Sequence, residues 1–237
     1  MKKFIIEQPF WDLFPNAKIA IIVANGVNNH YPENNGEFKK ILRLAQQEGE
    51  KFLTETEFAK NKVVSVWREA FQKFKTKKGA RCSIEAMLKR IGGDNPVGNI
   101  NPLVDIYNSI SLRYALPCGG ENIDAFDGDV KLTLADGGEY FVTYGSGESA
   151  PPYPGEVVYK DNSGAICRCW NWRESERTML TDDTTNAFLI IENVDTERED
   201  VLKEAINELK DLSEKMLGGT YEIHILDINN KEVVVEK

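Results

Sequence analysis

An asparagine on an apolar helical stripe is the first candidate for binding chemistry. In the segment 103–112, the helical period places Asn108 between Val104 and Leu112, which directs its amide into an apolar interior. A buried amide needs hydrogen-bond partners. Asn108 therefore either ties the helix to neighbouring backbone or lines a ligand pocket.

The loop after this helix supplies further candidates. Pro117 is followed by Cys118, Gly119 and Gly120, and glycines let a ligand approach the backbone closely. In a hydrolytic site, the two glycines could donate backbone N–H groups to a developing oxyanion. Cys118 is a weaker candidate for a nucleophile.

A third segment combines aromatic rings with guanidinium groups. If it is extended, Arg168, Trp170 and Trp172 share one face of a strand, and Arg173 follows them. Such a face suits an unstacked base or an aromatic amino acid, and the arginines suit a phosphate or carboxylate. Equally, the tryptophans could be core residues and Arg173 could simply form an ion pair with the next residue.

Positive charge is concentrated in residues 73–81. This basic segment has five basic and no acidic side chains, namely Lys73, Lys75, Lys77, Lys78 and Arg81. The whole chain has a net charge of -9, so global attraction cannot hold it on nucleic acid, and RNA binding would need this local patch. The alternative is a solvated helix end and loop.

The composition is typical of a folded, water-soluble protein. A length of 237 residues predicts one domain, 1–237, and 41% hydrophobic residues can form a sizeable core. The longest apolar run, residues 19–24, is too short to span a membrane. The four cysteines suggest no disulfide framework, and neither metal-ligand spacing nor a phosphate-binding loop is evident. We therefore predict a cytoplasmic protein with no cofactor, no metal, and no membrane or DNA partner.

The hydrophobic period changes twice along the chain. Residues 2–6 and 18–23 are predicted strands, and apolar spacings of three and four predict helix from about Glu37 to Phe74. Asn101 is a predicted N-cap, with Pro102 in the first turn of the next helix. Period-two segments then predict strands near 129–135, 139–144, 156–160, 165–172 and 186–192, followed by a helix at about 198–216 and strands at 220–227 and 231–235. This order predicts an α+β fold.

Roughly half of the chain, residues 67–195, resembles the B3/B4 domain of the phenylalanyl-tRNA synthetase beta subunit in a free-standing form. The resemblance rests on four features in the family's order: the segment 103–108, Pro117 nine residues after Asn108, the segment 155–158 and the segment 184–188. It implies a β-sandwich-like core with flanking helices, extended by a strand and helices before it and a helix and strands after it. In the synthetase this domain is an editing site, which hydrolyses phenylalanine tRNA wrongly charged with tyrosine.

Several pocket positions differ from the family pattern. Asn108 matches the family's pocket asparagine, but Tyr107 stands where bacterial enzymes have threonine, and Gly119 replaces a histidine. The glutamate that reads the tyrosine hydroxyl aligns near Ile190, and Glu192 lies two residues further along the same strand face. We therefore expect an acyl group other than tyrosine, either smaller or with a carboxylate that an arginine of the third segment could pair with.

Two classes of function follow from these residues. The first is a tRNA-binding hydrolase that cleaves the ester of mischarged aminoacyl-tRNA in trans, because this reaction needs only a positioned water, oxyanion donors and a side-chain pocket. The second is non-catalytic, either an RNA-binding module or a protein that binds an amino-acid-like small molecule. Ester hydrolysis separates the two classes.

Overall fold

Two β-sheets form the centre of the molecule. The computed structural model describes residues 1–91 and 93–236. In these residues, the larger sheet has the spatial order β10 (Glu232–Glu236), β1 (Lys2–Ile6), β4 (Val130–Leu134), β5 (Val157–Asp161), β6 (Gly164–Arg168) and β7 (Arg173–Glu174). The smaller sheet has the order β3 (Cys118–Asn122), β8 (Asn186–Asn193), β2 (Lys18–Asn25) and β9 (Thr220–Leu226). Neighbouring strands are antiparallel, except for the parallel pair β1 and β4.

Helices cover the smaller sheet and one end of the larger one. The described α-helices are α1 (Gln8–Leu13), α2 (Gly36–Gly49), α3 (Lys62–Phe71), α4 (Ser83–Leu88), α5 (Pro102–Tyr114) and α6 (Glu199–Leu217). Within residues 1–91 and 93–236, no helix combines the length and the apolar content needed to cross a membrane.

Strand β2 shows how the layers are built, because both of its faces are buried. Ile19 and Ile21 belong to a core shared with the larger sheet, where the Phe4 ring lies 5.1 Å from the Phe188 ring. Ala20, Ile22 and Ala24 belong to a second core, shared with helices α2, α5 and α6. A strand that is buried on both faces has a continuous apolar sequence instead of an alternating one, and residues 19–24 of β2 have such a sequence. The predicted α+β, sandwich-like fold with flanking helices is confirmed.

Helix α5 begins where the sequence predicts. Asn101 accepts a hydrogen bond from the Val104 N–H at 3.1 Å, and Pro102 occupies the first turn. The helix ends at Tyr114 and is capped by Ala115, which has the left-handed φ of 46°. Nearly every residue of α5 is buried, because α2, α4, α6 and β3 all pack around it.

The predicted helix from Glu37 to Phe74 is interrupted. Helix α2 ends at Gly49, short 3-10 turns follow at 50–52 and 58–60, and α3 begins at Lys62. The segment 54–57 is polar and exposed, so it offers no apolar face to continue the helix. The predicted strand at 139–144 is also wrong, because Phe141 bonds to Ser149 and Ala150 in an irregular loop instead of joining a sheet.

Candidate functional site

A cavity of about 240 Å³ opens between the two sheets at the β3 edge. One wall is the inward face of the smaller sheet, where Phe188, Ile190 and Glu192 alternate along β8 beside Gly119 and Glu121 of β3. The opposite wall comes from the larger sheet, and its members are Tyr159, Cys167 and the segment 170–174. Ser83, Cys118 and Gly120 complete the lining.

A tight reversal after β6 shapes the second wall. Cys169 and Trp170 have positive φ angles of 45° and 64°, and the Trp172 N–H bonds to the Arg168 carbonyl at 3.2 Å. The strand predicted at 165–172 therefore stops at Arg168. Because left-handed residues break the alternation of a strand, Arg168, Trp170 and Trp172 do not share a face as predicted.

Arg168 is a structural residue, which corrects its predicted role towards a ligand. Its side chain is 2% exposed and forms a buried ion pair with Glu156, with Nε donating to Oε2 at 3.1 Å. Its Nη1 donates to the carbonyl of Ala150 at 2.7 Å. Each of the three guanidinium nitrogens thus has a partner within the protein, and the buried group is not accessible to a phosphate or carboxylate.

Trp170 is a core residue and cannot stack on a free base. It is fully buried, with its ring centroid 5.0 Å from those of Phe10 and Trp67 and 4.6 Å from that of Phe14. Its indole Nε1 makes no well-formed hydrogen bond, although Glu192 and Tyr159 lie near it, and the residue lines the cavity. Trp170 therefore supplies a wall and an unpaired donor rather than a stacking surface.

Trp172 and Arg173 form the mouth of the cavity. Trp172 is half-buried, and the Arg173 guanidinium carbon lies 5.6 Å from its ring centroid. Lys77 of the basic segment approaches the same ring, with Nζ at 5.8 Å from the centroid. The cations are thus held against an aromatic ring at the entrance, which is a favourable arrangement.

Glu192 lies inside the cavity, on the β8 face that the sequence predicts. It is 2% exposed, and its two carboxylate oxygens accept hydrogen bonds from the Tyr159 hydroxyl and the Asn171 amide. Burial raises the pKa of Glu192 to about 7.

Two further carboxyl groups, Glu121 and Glu174, were not predicted as site residues. Glu121 is 7% exposed, and its Oε2 has no hydrogen-bond partner. Burial and the negative charge of Glu174 raise the pKa of Glu121 well above its usual range. Glu174 sits on the exposed strand β7, but its carboxyl turns into the cavity, and burial of that group raises its pKa to about 7. The signal available in the sequence was the alternation that puts Glu121 on the same face as Gly119.

The two glycines of β3 serve different sides of the sheet. A Cβ atom on Gly119 would point at the cavity, 3.6 Å from both Glu174 Oε1 and Ile190 Cγ2. A Cβ atom on Gly120 would instead lie 2.7 Å from Leu180 Cδ1, in the core on the opposite face. The Glu192 N–H bonds to the Pro117 carbonyl at 3.1 Å, and the alternation of antiparallel pairing then turns the Gly119 N–H towards Ile190. Gly119 is thus part of the sheet, which corrects its predicted role as a free oxyanion donor.

Cys118 is a thiol rather than a thiolate. Its side chain is 9% exposed, and its Sγ lies 3.7 Å from the Leu116 carbonyl. Burial raises the pKa of Cys118 far above neutral pH. Because the thiolate is the nucleophilic form, this geometry does not favour Cys118 as a nucleophile.

Asn108 and Tyr107 lie outside the cavity lining. Asn108 is half-buried and is not among the residues that line the cavity, which corrects its predicted placement. Since α5 is enclosed on nearly all sides, an apolar stripe cannot identify the side that faces a pocket. Tyr107 is buried behind β3, with its ring 3.4 Å from the position of a Cβ on Gly120.

The family model for the B3/4 domain matches residues 66–214, which include every residue that lines the cavity. The chain belongs to the B3/4 domain family. An N-terminal fragment of the phenylalanyl-tRNA synthetase beta-subunit from Pyrococcus horikoshii is a similar solved structure, with 12% identity and a TM-score of 0.45. The likeness covers 92% of this chain and 49% of that one, so the chain spans about half of its length. No curated protein matches this chain.

The basic segment of this B3/4 domain forms an exposed loop between α3 and α4, beside the cavity mouth. Lys73, Lys75, Lys78 and Arg81 are exposed, and Lys77 is half-buried. In the described part of the chain, none of the five has a carboxylate within 4.0 Å. Their charges are therefore free to meet an anion.

Proposed function

We propose that this chain is a tRNA-binding hydrolase that cleaves the ester of a mischarged aminoacyl-tRNA in trans. The observation that carries the proposal is the position of Glu174. It presents a carboxyl with a pKa of about 7 inside a cavity whose mouth lies beside the basic segment. A group with this pKa can take up a proton at neutral pH, which is the requirement for a general base.

Glu174 acts on a water molecule at the ester carbonyl. The water oxygen bonds to the carbonyl carbon while its proton passes to the Glu174 carboxylate. The bond from that carbon to the ribose oxygen then breaks, and the ribose oxygen receives the proton. No covalent enzyme intermediate is needed, which agrees with the buried thiol at Cys118. Arg173 at the mouth is the cation available to stabilise negative charge on the carbonyl oxygen.

The mouth and the loop beside it have the chemistry to hold the end of a tRNA. The ring of Trp172 offers a surface on which an unpaired base can stack, as proteins commonly bind single-stranded RNA. The basic segment supplies five positive charges for the phosphates near that end. The acyl group would then enter the cavity beside Gly119, where the lack of a side chain leaves room for it.

A second candidate is a protein that binds a free amino-acid-like molecule. The unpaired atoms Glu121 Oε2, Trp170 Nε1 and Asn171 Oδ1 favour it, because they need a polar partner whether or not RNA is attached. This candidate gives no role to the basic segment, whereas the hydrolase gives a role to both features.

The test is deacylation of a panel of mischarged tRNAs by the full chain. We expect at least one aminoacyl-tRNA to be hydrolysed faster than in buffer alone, with no loss of its correctly charged counterpart. Salt-dependent tRNA binding without hydrolysis would instead indicate the non-catalytic RNA-binding module. Absence of both tRNA binding and hydrolysis would leave the small-molecule protein.

A further inference from the structure

We propose that the cavity recognises an ammonium group of its ligand, and that Glu121 is the residue that contacts it. The inference rests on the proposed function, since it concerns the acyl group that the same cavity would hold. It identifies the substrate class as an aminoacyl group bound through its positive charge, either the α-ammonium or a basic side chain.

The carboxyl groups of the cavity favour a cation, because a bound positive charge stabilises their ionised forms, which burial otherwise disfavours. Glu121, Glu174 and Glu192 contribute three carboxyl groups to the lining, whereas Arg173 at the mouth is the one basic side chain among the described lining residues. The neighbouring arginines are already paired. Arg168 is bound to Glu156, and Arg177 is bound to Asp161, with Nη2 2.7 Å from Oδ1. A ligand cation would therefore supply the positive charge that the described lining residues lack inside the cavity.

The hydrogen bonds point the same way. Both oxygens of Glu192 have donors, from Tyr159 and Asn171. In contrast, Glu121 Oε2 is buried and makes no well-formed hydrogen bond, although the Thr178 hydroxyl lies near this carboxyl, and Asn171 Oδ1 is also unpaired. Both atoms can accept hydrogen bonds, and an ammonium group has three N–H donors to offer them.

One group of the opposite kind, a donor, also lines the cavity. The indole Nε1 of Trp170 can only donate, and it makes no well-formed hydrogen bond, although the Glu192 carboxyl and the Tyr159 hydroxyl lie near it. The carbonyl of an aminoacyl group is an acceptor for this donor. The unpaired atoms therefore match a ligand with both an ammonium and a carbonyl, which every aminoacyl ester has.

The charges of the cavity reverse the expectation of an acyl group with a carboxylate. That expectation relied on Arg168 and Arg173 as partners of the carboxylate. Arg168 is already paired with Glu156, and Arg173 lies at the mouth of the cavity. A carboxylate placed inside the cavity would be a buried charge with no cation to pair with it, which is unfavourable.

The test measures binding of small amides to the full chain by titration calorimetry, without tRNA. The four probes are L-lysinamide, L-norleucinamide, N-acetyl-L-lysinamide and N-acetyl-L-norleucinamide, which differ in the number and place of their ammonium groups. We expect the uncharged probe, N-acetyl-L-norleucinamide, to bind about 10-fold or more weakly than the best charged probe. Tight binding of N-acetyl-L-lysinamide identifies the side-chain ammonium as the recognised group, and tight binding of L-norleucinamide identifies the α-ammonium.

Variants locate the contact. Glu121→Gln should remove the preference for charged probes, while the exposed Glu176→Gln, three residues beyond Arg173, should retain it. The unfolding temperature of each variant is measured alongside, and Glu174→Gln provides a second reduction of negative charge if Glu121→Gln does not fold. Equal binding of the uncharged probe, binding of no probe, or an unchanged preference in folded Glu121→Gln would overturn the inference. Because no ester is present, these outcomes are independent of whether the chain hydrolyses aminoacyl-tRNA.

Discussion

The side chain of Asn171 donates a hydrogen bond from Nδ2 to Oε2 of Glu192, and this contact joins the two sheets across the cavity. Asn171 belongs to the reversal after β6 in the larger sheet, while Glu192 lies on β8 in the smaller one. The Tyr159 hydroxyl adds a second bond from the larger sheet to the same carboxylate. The buried Glu192 carboxyl thus links the two sheets at this part of the cavity, and its protonation state affects the contact between them.

The stability of the protein should depend on pH through this acid. The folded-state pKa of Glu192 is about 7, above its ordinary value of 4.5, so the folded protein keeps a proton that the unfolded chain loses between these values. Stability from this group is complete below about pH 4.5 and is lost as the pH rises towards 7. Relative to Glu192→Gln, the free energy of unfolding of the wild type should fall by about 2.5 kcal/mol between pH 5 and pH 8.

Urea unfolding at pH 5, 6, 7 and 8 measures this difference. Glu174 changes in the same direction and is present in both proteins, so the comparison isolates Glu192. Parallel pH profiles for the two proteins would show that Glu192 is ionised throughout.

The buried pair of Arg168 and Glu156 should contribute to stability and not to binding. Arg168→Ala leaves the Glu156 carboxylate buried and unpaired, which costs about 3–5 kcal/mol. The double variant Arg168→Met, Glu156→Leu should recover most of this loss in the free energy of unfolding. Denaturant unfolding measures the effect, with Arg173→Ala as an exposed control expected to change stability by less than about 0.5 kcal/mol. A stable Arg168→Ala protein that no longer binds ligand would contradict this prediction and would show that Arg168 takes part in binding.

The two glycines of β3 should respond differently to the same substitution. Gly120→Ala places a methyl group 2.7 Å from Leu180 and 2.9 Å from Leu189, so we expect a loss of about 1–3 kcal/mol. Gly119→Ala makes only ordinary contacts at 3.6 Å, so the protein should fold normally while the methyl group narrows the cavity. Thermal unfolding and ligand titration of both variants test this. Normal ligand affinity in Gly119→Ala would place the ligand elsewhere.

Much of the fold could be predicted from the sequence, because local patterns determine it. The apolar run of β2, the Asn101 cap and the alternation along β8 each depend on residues close in sequence. The site was harder to predict. The positive φ of Cys169 and Trp170 has no glycine to signal it, and this reversal decides that Arg168 meets Glu156 and that Trp172 reaches the mouth. Glu121 lines the cavity only because the larger sheet covers this face of β3, and local sequence patterns do not reveal such a long-range contact.

Any affinity for tRNA should depend on the basic segment. Changing its five cations to Gln, at Lys73, Lys75, Lys77, Lys78 and Arg81, should weaken binding and lower the slope of log affinity against log salt by roughly 1 for each phosphate that is no longer neutralised. The matched control changes five exposed lysines elsewhere, at Lys39, Lys40, Lys62, Lys203 and Lys215. Filter binding at several salt concentrations measures both. Equal affinities for the two variants would mean that the segment does not bind tRNA.

Single-turnover deacylation by Glu174→Gln tests the proposed hydrolase most directly. The substrate is the mischarged tRNA that the wild type hydrolyses fastest, and the matched control is Glu176→Gln, an exposed carboxyl two residues away. If Glu174 is the general base, Glu174→Gln should lose about 100-fold or more in rate while it still binds tRNA, and Glu176→Gln should match the wild type. A Glu174→Gln protein that deacylates at the wild-type rate would contradict the account.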